Sequence, residues 1–460
     1  MSSERILVTG AGGFLGSEVV RQLRAEGRTV RAMVRSTNQA EELRKTGAEV
    51  VIADLKDREA VTAATQGISS VIHIAALFRQ AGLPESEFYQ VNVEGTRWLL
   101  DAAIAAGATR FIHCSTVGVH GDIENPPANE NCPYSPGDMY QRSKTEGEQL
   151  VLRYFSENRI NGAVIRPGMI YGPHDRRTLK LFKMVSQGRF FYIGSGNALV
   201  HFVDVRDVAL GFRLALDNHD VKNEVFIIAG PQSLPLRAFV SDLCEALQIK
   251  RPWLHLPVKP LQLLGTICEA ICTPLRIDPP IYRRRVDFYT KNRSFDCSKA
   301  NRILGYTPTQ NSYGELSDII NSYIAEGLIK GEPLSKPCTI TRNIDGHIEH
   351  IDPATEHMYG VKGAAVLGKV SHSVLQTIFP RPLDQINNQL REQGKWAGNL
   401  VHRTASGEEV SVFSCWELKT SASGQPIVVE TNRLRLKGKG VPCPTESRAT
   451  APTGLVSSAT

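Results

Sequence analysis

Leu7-Val8-Thr9-Gly10-Ala11-Gly12-Gly13-Phe14-Leu15-Gly16 lies behind an apolar run near the start of the chain, and residues 18–25 after it read as a helix. A strand, a glycine turn and a helix in that order open a dinucleotide-binding unit. Gly10 permits the tight turn, Gly13 lets the backbone approach a pyrophosphate, and Gly16 lets helix and strand pack closely. The N–H groups at the helix start would then face the phosphates. The spacing is Gly-x-x-Gly-x-x-Gly, a common turn by itself, so it gains its weight from the motifs further along the chain.

Residues 1 to about 210 alternate short β-rich runs with helical stretches, the pattern of a parallel sheet covered on both faces. Strands are expected at 5–9, 29–34, 49–52, 70–74, 110–114 and 162–166. From Asn223 to about Leu328 a short strand at 225–228 mixes with helices at 236–247 and 260–272, which reads as a smaller substrate-side lobe. The fold class expected is α/β: a Rossmann-type doubly wound parallel sheet with a small α/β lobe, spanning 1–330. Residues 331–337 are linker-like, 338–433 form a separate α+β unit, and 434–460 are poor in apolar residues and expected to be disordered.

The bulk numbers agree with this division. A chain of 460 residues exceeds one ordinary core. The formal charge of +6 is small for that length and argues against nucleic acid as a partner. Nine cysteines are scattered without a Cys-x-x-Cys pair, which points to a reducing, cytoplasmic compartment. Cys268 and Cys272 sit one turn apart in an apolar stretch, a packing pattern, and no metal site is expected. The start lacks a signal pattern, and no apolar run is long enough to span a bilayer.

Tyr140-Gln141-Arg142-Ser143-Lys144 places a phenol and an ammonium four residues apart, on one helical face. The lysine charge there favours the phenolate and suits the tyrosine to proton transfer. The pair comes after His113-Cys114-Ser115-Thr116-Val117, a strand ending in hydroxyls. With Asp54-Leu55, His73-Ile74-Ala75-Ala76, Asn92, Arg166-Pro167-Gly168 and Val203-Asp204-Val205-Arg206-Asp207, the chain over about 4–328 resembles the extended short-chain dehydrogenase/reductases, also called the NAD-dependent epimerase/dehydratase family. The resemblance implies that Tyr140 is the acid/base, that Lys144 tunes it and binds the nicotinamide ribose, and that Thr116 bonds the reacting oxygen, with Ser115 the lesser candidate. It also implies a coenzyme site of Gly10, Gly13, Phe14, Leu15, Gly16 and Pro167, with Asp54 and Leu55 by the adenine and Ala75 and Ala76 by the ribose-phosphate. Asn92 is either a helix cap or a catalytic group.

Strand two ends in Arg31-Ala32-Met33-Val34-Arg35-Ser36, where an acid would bind the ribose hydroxyls of NAD. Arg35 favours the 2′-phosphate of NADP over NAD, whereas Arg31 reads as a solvated strand residue. Nucleotide-sugar members resembling this chain carry an Asn and an Arg where Met169 and Val200 stand, and apolar side chains do not grip a diphosphate. The apolar segment 254–272 and the pattern through Ser294–Pro308 resemble the 3β-hydroxysteroid dehydrogenase branch. That segment is a core helix, the lining of a lipid pocket, or a peripheral membrane contact. Arg283-Arg284-Arg285 comes after it as a charge cluster.

Residues 338–433 resemble a PAS sensor domain, from a hairpin near Ile340, a short helix ending at Gly360, a helix at 383–393 and Gly394-Lys395-Trp396 to the strands at 412–417 and 426–431. His347, His350, His357 and His372 are surface residues or haem ligands, surface being the favoured reading. The expectation is a small-molecule, apolar substrate, an NADP (or NAD) coenzyme and a homodimer. A nucleotide-sugar epimerase/dehydratase and a non-catalytic redox sensor are the competing readings.

Overall fold

The computed structural model describes residues 4–80, 82–247, 249–272, 286, 289–308, 312–334, 337–421 and 423–434. The arginine cluster at 283–285 and the segment 435–460 lie outside the described residues. Two compact units divide the chain, one of 1–247 with 251–331, the other of 332–460 with 248–250.

The first unit is built on β1 (Arg5–Thr9), β2 (Thr29–Val34), β3 (Glu49–Ile52), β4 (Ser70–His73), β5 (Arg110–Cys114) and β6 (Asn161–Pro167). A seventh strand, Glu224–Ile228, pairs with β6. The order is Glu224–Ile228, β6, β5, β4, β1, β2, β3, and every pairing is parallel. The strand expected in the lobe is therefore an edge of the main sheet. Its buried Phe226, Ile227 and Ile228 find their partners in β6, far back in the sequence.

Alternation along the strands sorts side chains between two cores. Ile6 and Val8, with Val30, Ile72, Ile112 and Ile165, face one side and pack with α1 (Phe14–Ala25) and the Val205–Asp217 helix. Leu7, Met33, Val71, Phe111 and Val164 face the other, against the Arg58–Ala64, Gly95–Ala105 and Met139–Ser156 helices. Burial on both faces is why these strands read as nearly continuous apolar runs. Arg31 breaks that run but is not solvated. It is buried, pairs with Glu49 at 2.8 Å and donates to the Ala64 and Gln66 carbonyls.

The lobe interleaves the Leu179–Ser186, Leu236–Ala246 and Val258–Cys272 helices with two-residue ladders such as Tyr192–Ile193 on His255–Leu256. At its root lies a buried acid, Glu315, hydrogen-bonded to the Tyr171 hydroxyl.

The second unit is an antiparallel sheet ordered Ile348–Ile351, Cys338–Asn343, Pro426–Leu434, Glu409–Thr420, Lys395–Arg403. Among the described residues its helices, Pro353–Tyr359 and Leu383–Gln393 among them, fall between the second and third strands in chain order. Trp396 lies directly opposite Trp416 with ring centroids 4.9 Å apart. A buried Arg342–Glu430 pair at 3.4 Å sits beside them, the guanidinium 4.3 Å from the Trp416 ring centre.

Burial, more than its neighbours Asp204 and Asp207, pushes the Glu315 carboxyl up to about 8. A carboxyl that holds its proton more tightly when folded stabilises fully below the unfolded value near 4.5 and loses that contribution as pH rises through about 8. The first unit is therefore expected to lose resistance to urea between about pH 5 and 8, and Glu315→Gln to flatten that decline. Urea midpoints of both proteins across this range check it.

Candidate active site

The carboxyl ends of β1 to β6 open onto one cavity of about 1520 Å³. It spans the point between β1 and β4 where the strand order reverses, the usual ligand crevice of an open α/β sheet. At its floor Gly10 has φ +68°, and a Cβ there would lie 2.7 Å from the Ala75 nitrogen. A Cβ on Gly16 would collide with the Gly10 carbonyl, so this glycine sets how closely α1 packs on the turn. Gly13 caps α1 without a side-chain hydrogen bond, and the first turn carries no acid. Its N–H groups and the dipole are thus left for an anion. The cradle fits a dinucleotide pyrophosphate.

A chain of hydrogen bonds holds the next wall. Thr96 Oγ1 donates to the Asn92 carbonyl at 2.9 Å, so it accepts from His73 Nε2 at 2.9 Å. His73 Nδ1 must then accept from Thr9 Oγ1 at 2.8 Å. The same Thr9 oxygen accepts from the Ile74 and Ala75 N–H groups, each at 3.2 Å. Burial first, and then Lys144, pull the His73 pKa down to about 3, which keeps the ring neutral. Asn92 does not cap a helix. It is buried in a π-helical turn, Gln90–Glu94, and joins Leu77 N (2.8 Å) and Leu77 O (3.1 Å) to Ser143 Oγ (2.9 Å).

Asp138 caps the Met139–Ser156 helix by accepting from Gln141 N at 2.8 Å, which puts Tyr140 in the first turn on the cavity wall. Phe78 packs edge-on at 5.0 Å, and the Arg79 guanidinium lies 5.3 Å from the Tyr140 ring centre, held by Asp138 at 2.7 Å. Burial raises the phenol above its ordinary value and Cys114 adds to this, while Arg79 and Arg177 oppose it. Lys144 makes no hydrogen bond to Tyr140 among the described residues. Its buried ammonium donates to the Cys114 carbonyl at 2.6 Å, and burial lowers its pKa. Arg79 is thus a cation beside the phenol that the spacing of Tyr140 and Lys144 does not reveal.

Thr116 Oγ1 accepts from Gly118 N at 3.0 Å, leaving its own proton for another oxygen at the cavity. Ser115 is committed elsewhere, to the carboxylate of Glu148. Glu148 is fully buried one more turn along the face of Tyr140 and Lys144, and it forks onto Arg166 (2.5 and 3.2 Å) and Tyr134 (2.7 Å). The paired guanidinium and these hydrogen bonds outweigh burial and hold the carboxyl below its usual value. Arg166 reaches on to His120 Nε2 at 3.0 Å and the Glu130 carbonyl at 2.9 Å. Since arginine only donates, His120 Nε2 accepts and its Nδ1 donates to Pro133 O.

Arg35, Asp54, Leu55, Ala75, Ala76 and Pro167 line the same cavity as the glycine turn, with Phe14 and Leu15; of the expected site residues only Lys144 stands behind the wall. Exposed Arg35 comes directly after β2 with no carboxylate beside it in sequence. No cluster of metal-binding side chains occurs among the described residues.

Residues 6–229 match the NAD dependent epimerase/dehydratase family. The sterol demethylase protein B of Methylococcus capsulatus is 29% identical over 333 residues, covering 70% of this chain and 99% of that protein. A 4-hydroxy-2-methyl-3-oxo-4-farnesyl-3,4-dihydroquinoline-1-oxide ketoreductase of Stigmatella aurantiaca is 30% identical over 308 residues, covering 66% and 91%. The chain belongs to the NAD dependent epimerase/dehydratase family. The crystal structure of gox2253 superposes with a TM-score of 0.61 at 29% identity, over 71% of this chain and all of that one. As an epimerase/dehydratase-family member this protein is an NAD(P)-dependent oxidoreductase.

Tyr140→Phe is expected to lower turnover by about 10²–10⁴-fold with coenzyme affinity nearly unchanged. Lys144→Ala should lower both. Steady-state rates beside calorimetric coenzyme titrations separate the two outcomes.

Proposed function

We propose that this protein moves hydride between a nicotinamide and a secondary alcohol or ketone on an apolar, sterol- or hopanoid-like substrate. The observation that carries this reading is the cavity wall beyond Tyr140, built from Phe191, Ile193, Phe202, Leu256 and Leu261. Met169 on the same wall is apolar, and Val200 is buried, so neither supplies a donor for a diphosphate. Lys180 and Arg293 also face the cavity and suit an acidic group on the substrate. The sterol and prenylated-quinoline compounds named for the two relatives are of the same kind.

The coenzyme supplies or accepts the hydride. The glycine turn and the start of α1 would hold its pyrophosphate, Asp54 and Leu55 would flank the adenine and Ala75 and Ala76 the ribose-phosphate, and the Lys144 ammonium would reach the second ribose by turning from the Cys114 carbonyl. Tyr140 exchanges the proton at the substrate oxygen, and Thr116 Oγ1 donates to that oxygen. In the oxidation direction Tyr140 acts as phenolate and takes the hydroxyl proton, while the hydride on the carbon would pass to the coenzyme. Arg35 favours NADP. The second unit serves as a PAS-like module for regulation or homodimerisation. The reading is supported by its five-stranded antiparallel sheet, with every described helix between the second and third strands. The assignment of the enzyme to the cytoplasm rests on its scattered thiols.

Mass spectrometry of the purified protein tests this: a bound NADP with an apolar alcohol or ketone is expected, and a bound nucleotide sugar would overturn it. Arg35→Asp should shift preference toward NAD, read from affinities for both coenzymes. A chain ending at Lys330 should bind coenzyme and keep basal turnover, because every residue assigned to chemistry precedes it. Loss of coenzyme binding in calorimetry would overturn the division at 331–337.

A further inference from the structure

Exposed apolar side chains crowd one segment of the lobe. Trp253 is 84% exposed, and on the Val258–Cys272 helix Leu263, Leu264, Ile267 and Ile271 are 63, 44, 47 and 57% exposed. Their three- and four-residue spacing puts the four on one helical face. On the opposite face Gly265 is buried and Leu261 lines the cavity, as does Leu256 just ahead of the helix. One helix is thus a wall of the cavity on one side and, among the described residues, an unpartnered apolar ridge on the other. A contiguous ridge of this kind marks an interaction surface. Exposed Arg251 and Lys259 stand at its start.

We propose that this ridge seats the enzyme on an anionic lipid surface. Leucines and isoleucines on one helical face enter the acyl boundary, while an exposed tryptophan suits the headgroup level. The flanking cations meet acidic headgroups. The same cations argue against a second copy, because a two-fold pairing across the ridge would bring like charges together. No helix among the described residues is long and apolar enough to cross a membrane, so the contact lies along the surface. An apolar substrate partitions into the bilayer, and the ridge places the cavity wall against that reservoir.

Co-sedimentation of the full chain with phosphatidylcholine vesicles, with and without phosphatidylglycerol, tests this without reading turnover, so its outcome is separate from the assigned reaction. The wild type is expected to bind the anionic vesicles, with a blue shift in tryptophan fluorescence that Trp253→Phe removes. The triple variant Leu263→Ser, Ile267→Ser, Ile271→Ser should bind at least about tenfold more weakly with its coenzyme affinity unchanged. Trp253→Ala, a change at one exposed side chain, should weaken binding in the same direction. Wild-type protein that stays in the supernatant with both vesicles would overturn the proposal, as would equal binding by the variants. So would a wild-type dimer that the triple variant converts to monomer in sedimentation velocity, which would give the ridge to a second copy.

Discussion

The ion pair between Glu148 and Arg166 is the contact on which the site depends. Both side chains are almost wholly buried. Arg166 comes from β6, and Glu148 from the helix that carries Tyr140 and Lys144. The same carboxylate receives Ser115 from the end of β5, and Tyr134 from the segment before the helix. Removing one partner of such a pair typically costs about 3–5 kcal/mol, since the other charge stays behind in a low dielectric. The pair therefore does more than add stability. It fixes the axial position and rotation of the Tyr140 helix against the sheet, and with them the distance from Tyr140 to Thr116. Hydroxyl and phenol partners saturate the carboxylate, which is the condition under which a buried charge is tolerable.

Around that lock the site is assembled from strand ends. Six carboxyl termini and one glycine turn deliver backbone, and side chains are added only where chemistry needs them. Lys144 shows the economy of this plan. Its ammonium is tied to a main-chain carbonyl of β5, so a charge buried beside two neutral histidines is held in register by the sheet itself. Arg79, whose loop is tied through Asn92 to the helix of Tyr140, brings its guanidinium to 5.3 Å from the Tyr140 ring centre.

Much of this is legible in the chain. Strands buried on both faces announce themselves by composition, and β2, β3 and β5 have the bounds that the sequence implies. The glycine turn and Tyr140 are recognisable by spacing and Thr116 by family resemblance, and the three meet in one cavity. Features that depend on partners distant in sequence are not legible in this way. The strand at 224–228 looks the same whether it joins a lobe or extends a sheet, and only β6 decides. Arg31 looks solvated because Glu49 lies on the neighbouring strand. Glu148 has a local signal, four residues beyond Lys144, but a glutamate on a helix is ordinarily surface. Neither the direction of the Lys144 ammonium nor the seat of Arg79 can be had from any spacing.

The relay through Thr9, His73 and Thr96 has a polarity. Every proton in it points the same way, from the loop amides at 74 and 75 to Thr9, on to His73, then to Thr96 and the Asn92 carbonyl. Adding a proton to His73 Nδ1 would meet the hydroxyl hydrogen of Thr9 head-on. That hydroxyl would have to rotate, and its oxygen would lose its bond geometry with the Ala75 amide. Because the imidazole resists protonation until strongly acid conditions, the wall of the coenzyme cavity is insulated from ordinary swings in acidity. The frame at this wall therefore keeps its charge over the range in which Glu315, at the root of the lobe, gives up its proton.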